Sequence, residues 1–206
     1  MKEDYSSGFL KYFYCFWRSI NFPRQHRRMF CDALSALEVQ TSFKVLELAC
    51  GPGNNIKFLA EKIGPSGFIL CTDVSTEMLK LAKNQAQAFP DKNIQLKQLD
   101  ASQIQFDKEF DVVICMLGFS VIPDYEKAIT GACRALKPNG KIAVIDAQRY
   151  KKFPFYLLNF LVRVVHHLFK AKERDLRSTL NGSFNEIFYK EYMGSSYFLY
   201  VGQKHE

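Results

Sequence analysis

The sequence predicts an α/β fold built on a doubly wound, largely parallel sheet, and three observations predict it. Val45, Leu46 and Leu48 form an apolar run of strand length that enters the turn Gly51-Pro52-Gly53 and then a helix continued by Ile56, Leu59 and Ala60. A second apolar run, Phe68 to Cys71, ends in Thr72-Asp73, twenty residues past Gly53. Beyond it, short apolar runs alternate with helical patterns as far as residue 147.

Taken in order, residues 9–20 hold six aromatics in twelve positions, a density that requires a covering surface. After Pro23, Arg24 to Leu37 reads as a helix with Met29, Phe30, Ala33, Leu34 and Leu37 at helical spacing. In the first strand-turn-helix unit, roughly 43–63, Gly51 and Gly53 permit close backbone approach and Asn54 can cap the helix. Gly64-Pro65-Ser66-Gly67 is a turn by its chemistry. Following the second strand, Ser75 caps a helix whose buried face is Leu79, Ala82 and Ala86. The third strand is Ile94 to Leu99, with Asp100-Ala101 at its tip. A fourth, Asp111 to Leu117, runs into Gly118–Asp124. The helix Tyr125 to Leu136 ends before Pro138-Asn139-Gly140, and Lys141 to Ala147 is the fifth strand, ending at Asp146.

The stretch Phe155 to Phe169 is too short to span a bilayer and is interrupted by Asn159, Arg163, His166 and His167. Lys151, Lys152, Lys170, Lys172 and Arg174 flank it, which suits either a helix lying on an anionic membrane surface or a core helix packed on the sheet. Ser183 to Tyr192 and Tyr197 to Lys204 read as two strands joined by a turn.

At 206 residues and 48% hydrophobic, the chain is read as one domain, 1–206, with a well-buried core and little room for disorder. The formal charge of +7 is uneven: residues 1–31 carry six Lys/Arg against two acids and residues 148–174 seven against one. Six cysteines stand far apart with no Cys-x-x-Cys pair, which reads as free thiols in a reducing, cytoplasmic compartment and argues against a disulfide framework or a zinc site; no metal is expected. The amino-terminal apolar stretch is broken at Lys11 and offers no signal peptide.

A glycine turn beside an acid at the tip of the second strand is the geometry that receives an adenosine, with the acid reaching the ribose hydroxyls. A dinucleotide fold wants a third glycine where this chain has Ile56. Glu47, closing the first strand, points elsewhere. Val45-Leu46-Glu47-Leu48-Ala49-Cys50-Gly51-Pro52-Gly53, Asp73-Val74-Ser75-Thr76-Glu77-Met78-Leu79, Asp100-Ala101, Phe110 to Cys115 and Arg134-Ala135-Leu136-Lys137-Pro138-Asn139-Gly140-Lys141 together resemble the class I S-adenosylmethionine (SAM)-dependent methyltransferases. The chain departs at Ala49 and Asn139, where glycine is usual; an Ala-Cys pair at the first position also resembles the quinone-methylating branch.

The resemblance implies a Rossmann-like sheet of seven strands in the order 3-2-1-4-5-7-6, strand seven antiparallel, with helices on both faces. It implies SAM as cofactor: Glu47, Ala49, Gly51, Gly53 and Asn55 around the methionine portion, Asp73 on the ribose, Val74, Met78, Asp100 and Ala101 around the adenine, and Leu117 beside them. Asp100 can instead be a turn cap. Residues 1–40 would form a helical lid or simply pack on the sheet, 41–147 the cofactor core, and 148–206 a substrate-side helix and the final strand pair. An aromatic such as Tyr5 or Tyr12 could face the sulfonium.

The loop after the fourth strand lacks the Asn/Asp-Pro-Pro-aromatic sequence that holds the amino group of a DNA base, and offers Met116, Leu117, Gly118 and Phe119 as apolar walls. That disfavours nucleic-acid bases and favours a small lipophilic or lipid-like acceptor, with a lipid-headgroup amine ahead of a quinone-ring carbon. A catalytically silent SAM-binding partner subunit and, least favoured, an RNA methyltransferase are the other readings. Contact with a membrane surface would fit the lipid readings. His26, His166, His167, Tyr150 and Tyr192 are the candidates for a base, each more simply read as a packing or surface residue.

Overall fold

The computed structural model describes residues 23–148 and 174–205. The aromatic stretch 9–20, Tyr5, Tyr12, Tyr150, His166, His167 and the 155–169 segment lie outside the described residues.

In chain order the elements are α1 (Pro23–Ala36), β1 (Lys44–Leu48), α2 (Ile56–Lys62), β2 (Phe68–Asp73), α3 (Thr76–Ala86), β3 (Ile94–Gln98), a 3-10 turn (Ala101–Gln103), β4 (Phe110–Met116), α4 (Tyr125–Ala135), β5 (Leu136–Ala147), α5 (Leu176–Asn181), β6 (Phe184–Tyr192) and β7 (Tyr197–Lys204). The seven strands form one sheet in the order β3-β2-β1-β4-β5-β7-β6. The pairs from β3 to β5 are parallel, and β7 runs antiparallel to both β5 and β6. This is the order and polarity implied by the resemblance.

Strand parity divides the core between the two faces of the sheet, because successive side chains point to opposite sides. Val112, Ile114, Met116, Ala143, Ile145, Leu199 and Val201 join the cluster under α1, α2 and α3. Val113, Cys115, Ile142, Val144, Phe198 and Tyr200 join the cluster under α4 and α5. A sheet covered on both sides leaves its central strands apolar at nearly every position, as in β4 (Phe-Asp-Val-Val-Ile-Cys-Met). Met29, Phe30, Ala33, Leu34 and Leu37 are all buried, as their spacing predicts, and each large side chain among them contributes about 1.5–3 kcal/mol of burial energy.

Most element ends agree with the sequence reading to within a residue, and two departures matter for the site. The fifth strand begins at Leu136 rather than Lys141, with Pro138-Asn139-Gly140 inside it. Phe110 pairs Leu136 and Val112 pairs Lys141, so the extra residues bulge out. Asn139 takes φ 62 in the bulge, and Lys137 is tied to Asp111 at 2.7 Å. The chain thus enters the sheet directly from α4, with no intervening loop. Second, Asn55 rather than Asn54 precedes α2; its side chain makes no capping bond, and Asn54 is exposed. Ser75 does cap α3, accepting from the Met78 N–H, but of that helix's predicted face only Ala82 is fully buried.

Among the described cysteines, all free, Cys50, Cys71 and Cys115 are buried, while Cys31 is exposed on α1.

A polar tie joins α1 to the edge of the sheet. Asp32 accepts from Lys190 Nζ and from the Tyr192 hydroxyl, both at 2.6 Å. Burial pushes the Asp32 carboxyl up, but the hydrogen bonds from Lys190 and Tyr192 and the charges of Lys190 and Arg28 outweigh it and hold the group below its ordinary 3.8. A carboxyl depressed on folding stabilises the fold above its unfolded pKa, and that contribution is lost as pH falls through the folded value. The stability difference between wild type and Asp32→Asn is therefore expected to be constant near neutrality and to shrink below about pH 4. Urea midpoints measured at several pH values check this; a difference that stays constant into acid would remove the tie.

Candidate functional site

Strand order reverses between β1 and β4, and open α/β sheets place their ligands outside the carboxyl ends of strands at such a point. Four loop tips gather there.

The β1 turn is built on backbone that only small residues adopt readily: Ala49 at φ 52, Gly51 at φ 55 and Gly53 at φ 80. Cys50 N–H donates to the Thr72 carbonyl at 2.9 Å, which keeps the turn alongside β2. A side chain on Gly53 would meet Ala82 Cα at 2.9 Å, so this glycine lets α3 close on the turn; one on Gly51 would meet nothing within 4 Å.

Glu47 lies beneath the turn, 1% exposed. Its Oε1 accepts from Asn55 Nδ2 at 2.6 Å and its Oε2 from the Cys71 thiol at 3.5 Å. Glu47 thereby reaches the turn through Asn55, whose own Oδ1 is buried and has no hydrogen-bond partner. The hydrogen bond with Cys50, together with full burial, pushes the Cys71 thiol well up, so it stays protonated and able to donate. Thr72, which the sequence analysis passed over, donates its hydroxyl to the Glu47 carbonyl at 3.0 Å.

Asp73 closes β2, 9% exposed, and joins two loops. Its Oδ2 accepts from Gly51 N–H at 2.8 Å and its Oδ1 from Ser75 N–H at 2.9 Å. Val74 beside it is 58% exposed, the most exposed large apolar residue described, and Met78 is half-buried one turn on. At the β3 tip Asp100 caps the 3-10 turn, accepting from Ser102 N–H at 2.8 Å and its hydroxyl at 2.7 Å, with Ala101 buried behind it. The capping reading of Asp100 therefore holds, and just before it the Leu99 N–H donates to the Asp73 carbonyl at 3.0 Å, which keeps the β3 tip alongside β2.

Opposite these stands the loop after β4. Leu117 takes φ 57, and a Cβ on Gly118 would lie 2.9 Å from Ala49 Cβ, so the two walls touch at their base. Met116 and Phe119, predicted to be crevice walls, are core residues, 4% and 0% exposed. Met116 is the last residue of β4 and faces the first core, whereas Phe119 is placed by the turn itself: Val121 and Ile122 N–H both donate to the Gly118 carbonyl, rolling Phe119 and Ile122 into the second core. Leu117 and Val121 remain half-buried.

Asp146 joins the site although no motif in the sequence assigns it a role. Fully buried at the end of β5, it accepts from Ser120 N–H at 3.0 Å and Ala147 N–H at 2.8 Å. Burial pushes its carboxyl up against the pull of those N–H groups and of Arg174. The signal was present: an acid closing an apolar strand, as Glu47 closes β1. Of the candidate bases, His26 is buried on α1 and Tyr192 donates to Asp32, in keeping with packing roles. Two clefts of about 260 and 270 Å³ open elsewhere, around Lys44 and Phe110 and around Leu37 and Lys141, and include none of the crevice residues.

Comparison with known proteins agrees with this fold and crevice: residues 45–140 match the family described as "Methyltransferase domain", and over that span the chain is similar to the class I SAM-dependent methyltransferases. Among its relatives, the demethylmenaquinone methyltransferase of Lactococcus lactis is 32% identical over 134 residues, 65% of this chain and 53% of that one. The demethylmenaquinone methyltransferase of Oceanobacillus iheyensis is 24% identical over 208 residues, 90% and 87% of the two chains. The chain spans about half the length of several of the curated relatives it matches. A SAM-dependent methyltransferase from Aquifex aeolicus shares the fold at a TM-score of 0.64 and 18% identity, covering 85% of this chain and 89% of that one.

Proposed function

We propose that the crevice binds SAM and directs its methyl group to a small lipophilic acceptor, with a ring carbon of a reduced quinone in first place. The observation that carries the acceptor is the run of relatives named for demethylmenaquinone, one of them aligned over 90% of this chain. It reverses the order weighed from sequence, which put a lipid-headgroup amine ahead.

The residues present fit the cofactor. The buried, unpartnered Oδ1 of Asn55 is an acceptor suited to the ammonium of a methionine portion. Gly51 presents bare backbone to open space, and Asp73 stands at the strand tip where a ribose diol is received. Val74 and Met78, with Asp100 and Ala101, offer an apolar and polar edge for adenine. Glu47 orients Asn55, and Gly53 and Ala49 shape the turn. When bound, SAM supplies a methyl carbon made electrophilic by its sulfonium, and displacement at that carbon leaves a neutral thioether. The chain's own part is to hold the acceptor atom about 3–3.5 Å from that carbon and to exclude water, which the Leu117 and Val121 wall suits. No nucleophilic side chain is needed: the electron-rich ring carbon of the quinol forms the new carbon–carbon bond as the carbon–sulfur bond breaks, and the proton that carbon carried is released to solvent as the ring regains its aromaticity.

No helix among the described residues is long and apolar enough to cross a membrane.

The test supplies labelled SAM with reduced 2-geranyl-1,4-naphthoquinone, a phosphatidylethanolamine vesicle and total RNA in parallel. Label at the free ring carbon of the naphthoquinol is expected. Label in the aminophospholipid would favour the headgroup reading instead, and label in RNA would favour the least expected one. SAM binding with no transfer in any arm would point to a silent partner subunit.

A further inference from the structure

One side chain from a distant part of the sequence grips the crevice wall that follows β4. Arg174, half-buried just ahead of α5, donates from Nη1 to the Phe119 carbonyl at 2.6 Å and also to the Ile122 carbonyl. Its Nη2 donates to the Pro123 carbonyl at 3.3 Å, and its guanidinium lies 4.3 Å from the centre of the Tyr125 ring. Three carbonyls within the span 119–123 thus converge on one cation. A guanidinium can gather them because its donors fan out in a fixed plane while that plane stacks on an aromatic; a lysine ammonium has neither property. Buried Asp146 takes the Ser120 N–H of the same turn. The turn is therefore held by its carbonyls and by an N–H at once, from two elements that are not its neighbours in sequence.

The cofactor side is built separately. Its hydrogen bonds run among Glu47, Gly51, Asn55, Asp73 and Ser75, on β1, β2 and the turns that follow them. The loop gripped by Arg174 carries Val121 and adjoins Leu117, the two half-buried apolar residues of the opposite wall.

We infer that Arg174 is a positioning residue for the methyl acceptor: by fixing the carbonyls of Phe119, Ile122 and Pro123 it sets where Val121 stands beside Leu117, and so governs acceptor affinity independently of cofactor affinity. This rests on the methyl-transfer reading above.

The experiment compares the full chain with Arg174→Ala and Arg174→Lys by three readouts: calorimetric titration with S-adenosylhomocysteine, steady-state kinetics with reduced 2-geranyl-1,4-naphthoquinone, and amide exchange across 118–122. For Arg174→Ala the acceptor KM is expected to rise about tenfold or more, with kcat within about threefold and S-adenosylhomocysteine affinity within about twofold of wild type. Exchange at 118–122 should accelerate, and Arg174→Lys should fall between the two. A parallel loss of kcat, cofactor affinity and melting temperature would make Arg174 merely structural and overturn the inference. So would an unchanged KM. Wild-type protein that binds S-adenosylhomocysteine but does not methylate the naphthoquinol would sink the quinol reading instead. In that event, faster 118–122 exchange with cofactor affinity retained supports the Arg174 assignment, and unchanged exchange overturns it.

Discussion

Asp73→Asn will weaken S-adenosylhomocysteine binding by about a hundredfold and lower stability by about 2–3 kcal/mol, the larger part of both coming from two backbone donors. Each carboxylate oxygen holds one N–H, that of Gly51 and that of Ser75, at 2.8 and 2.9 Å. An amide can accept only one of them, and its NH2 then faces the other donor head-on. The glycine turn and the start of α3 lose their common anchor together, before any contact with a ribose is counted. Calorimetric titration at a temperature where the variant is fully folded separates the two effects. Affinity within threefold of wild type under those conditions would exclude Asp73 from the cofactor site, leaving it only a structural role.

Gly53→Ala and Gly51→Ala will diverge although both glycines have positive φ. At Gly53, φ 80, the new methyl would stand 2.7 Å from Ile56 Cδ1 and 2.9 Å from Ala82 Cα. Backbone strain and overpacking add, since the helix backbone cannot move aside as a side-chain tip can, and a loss of about 2–5 kcal/mol is expected. At Gly51, φ 55, the methyl would meet no atom within 4 Å, so only strain of about 1–2 kcal/mol remains. That methyl would instead project into the space proposed for the cofactor, and affinity should fall by about tenfold or more. Thermal melts and titrations of both variants read the divergence. Equal losses of stability, or full cofactor affinity in Gly51→Ala, would refute this division of roles.

The architecture was legible because its signals are local and repeated. Buried parallel strands declare themselves as short apolar runs, and the α1 face is a helical repeat of five buried residues, Met29 to Leu37. Asp73 was legible because a strand that is apolar to its end has no packing use for an acid at its tip, and a glycine turn twenty residues earlier supplies the neighbour such an acid serves. What escaped depends on backbone angles or on distant partners. Pro138-Asn139-Gly140 carries the chemistry of a helix stop, and only pairing with β4 shows that a strand bulges there. Asn54 and Asn55 are equal as caps on paper; the buried Glu47 decides which side chain turns inward. Phe119 is apolar in either setting, and the two bonds to the Gly118 carbonyl send it to the core. Asp146 and Arg174 act on one loop from positions 26 and up to 55 residues away, a relation that no window along the sequence contains.

The placement of β7 between β5 and β6, with α1 tied to β6 through Asp32, Lys190 and Tyr192, governs how the chain must be assembled as it is synthesised. Bonds that dock α1 span 158 and 160 residues, so this helix emerges long before its partners exist. Meanwhile β5 waits with one row of backbone donors and acceptors open, the kind of edge that pairs with whatever strand arrives first. The last hairpin supplies both the missing neighbour and the docking site. Chain closure by long-range contacts of this kind is slow, and it makes the final strand pair the step that commits the whole sheet. A ribosome stalled before residue 197 would hold five parallel strands with an unpaired rim, a natural client for chaperones.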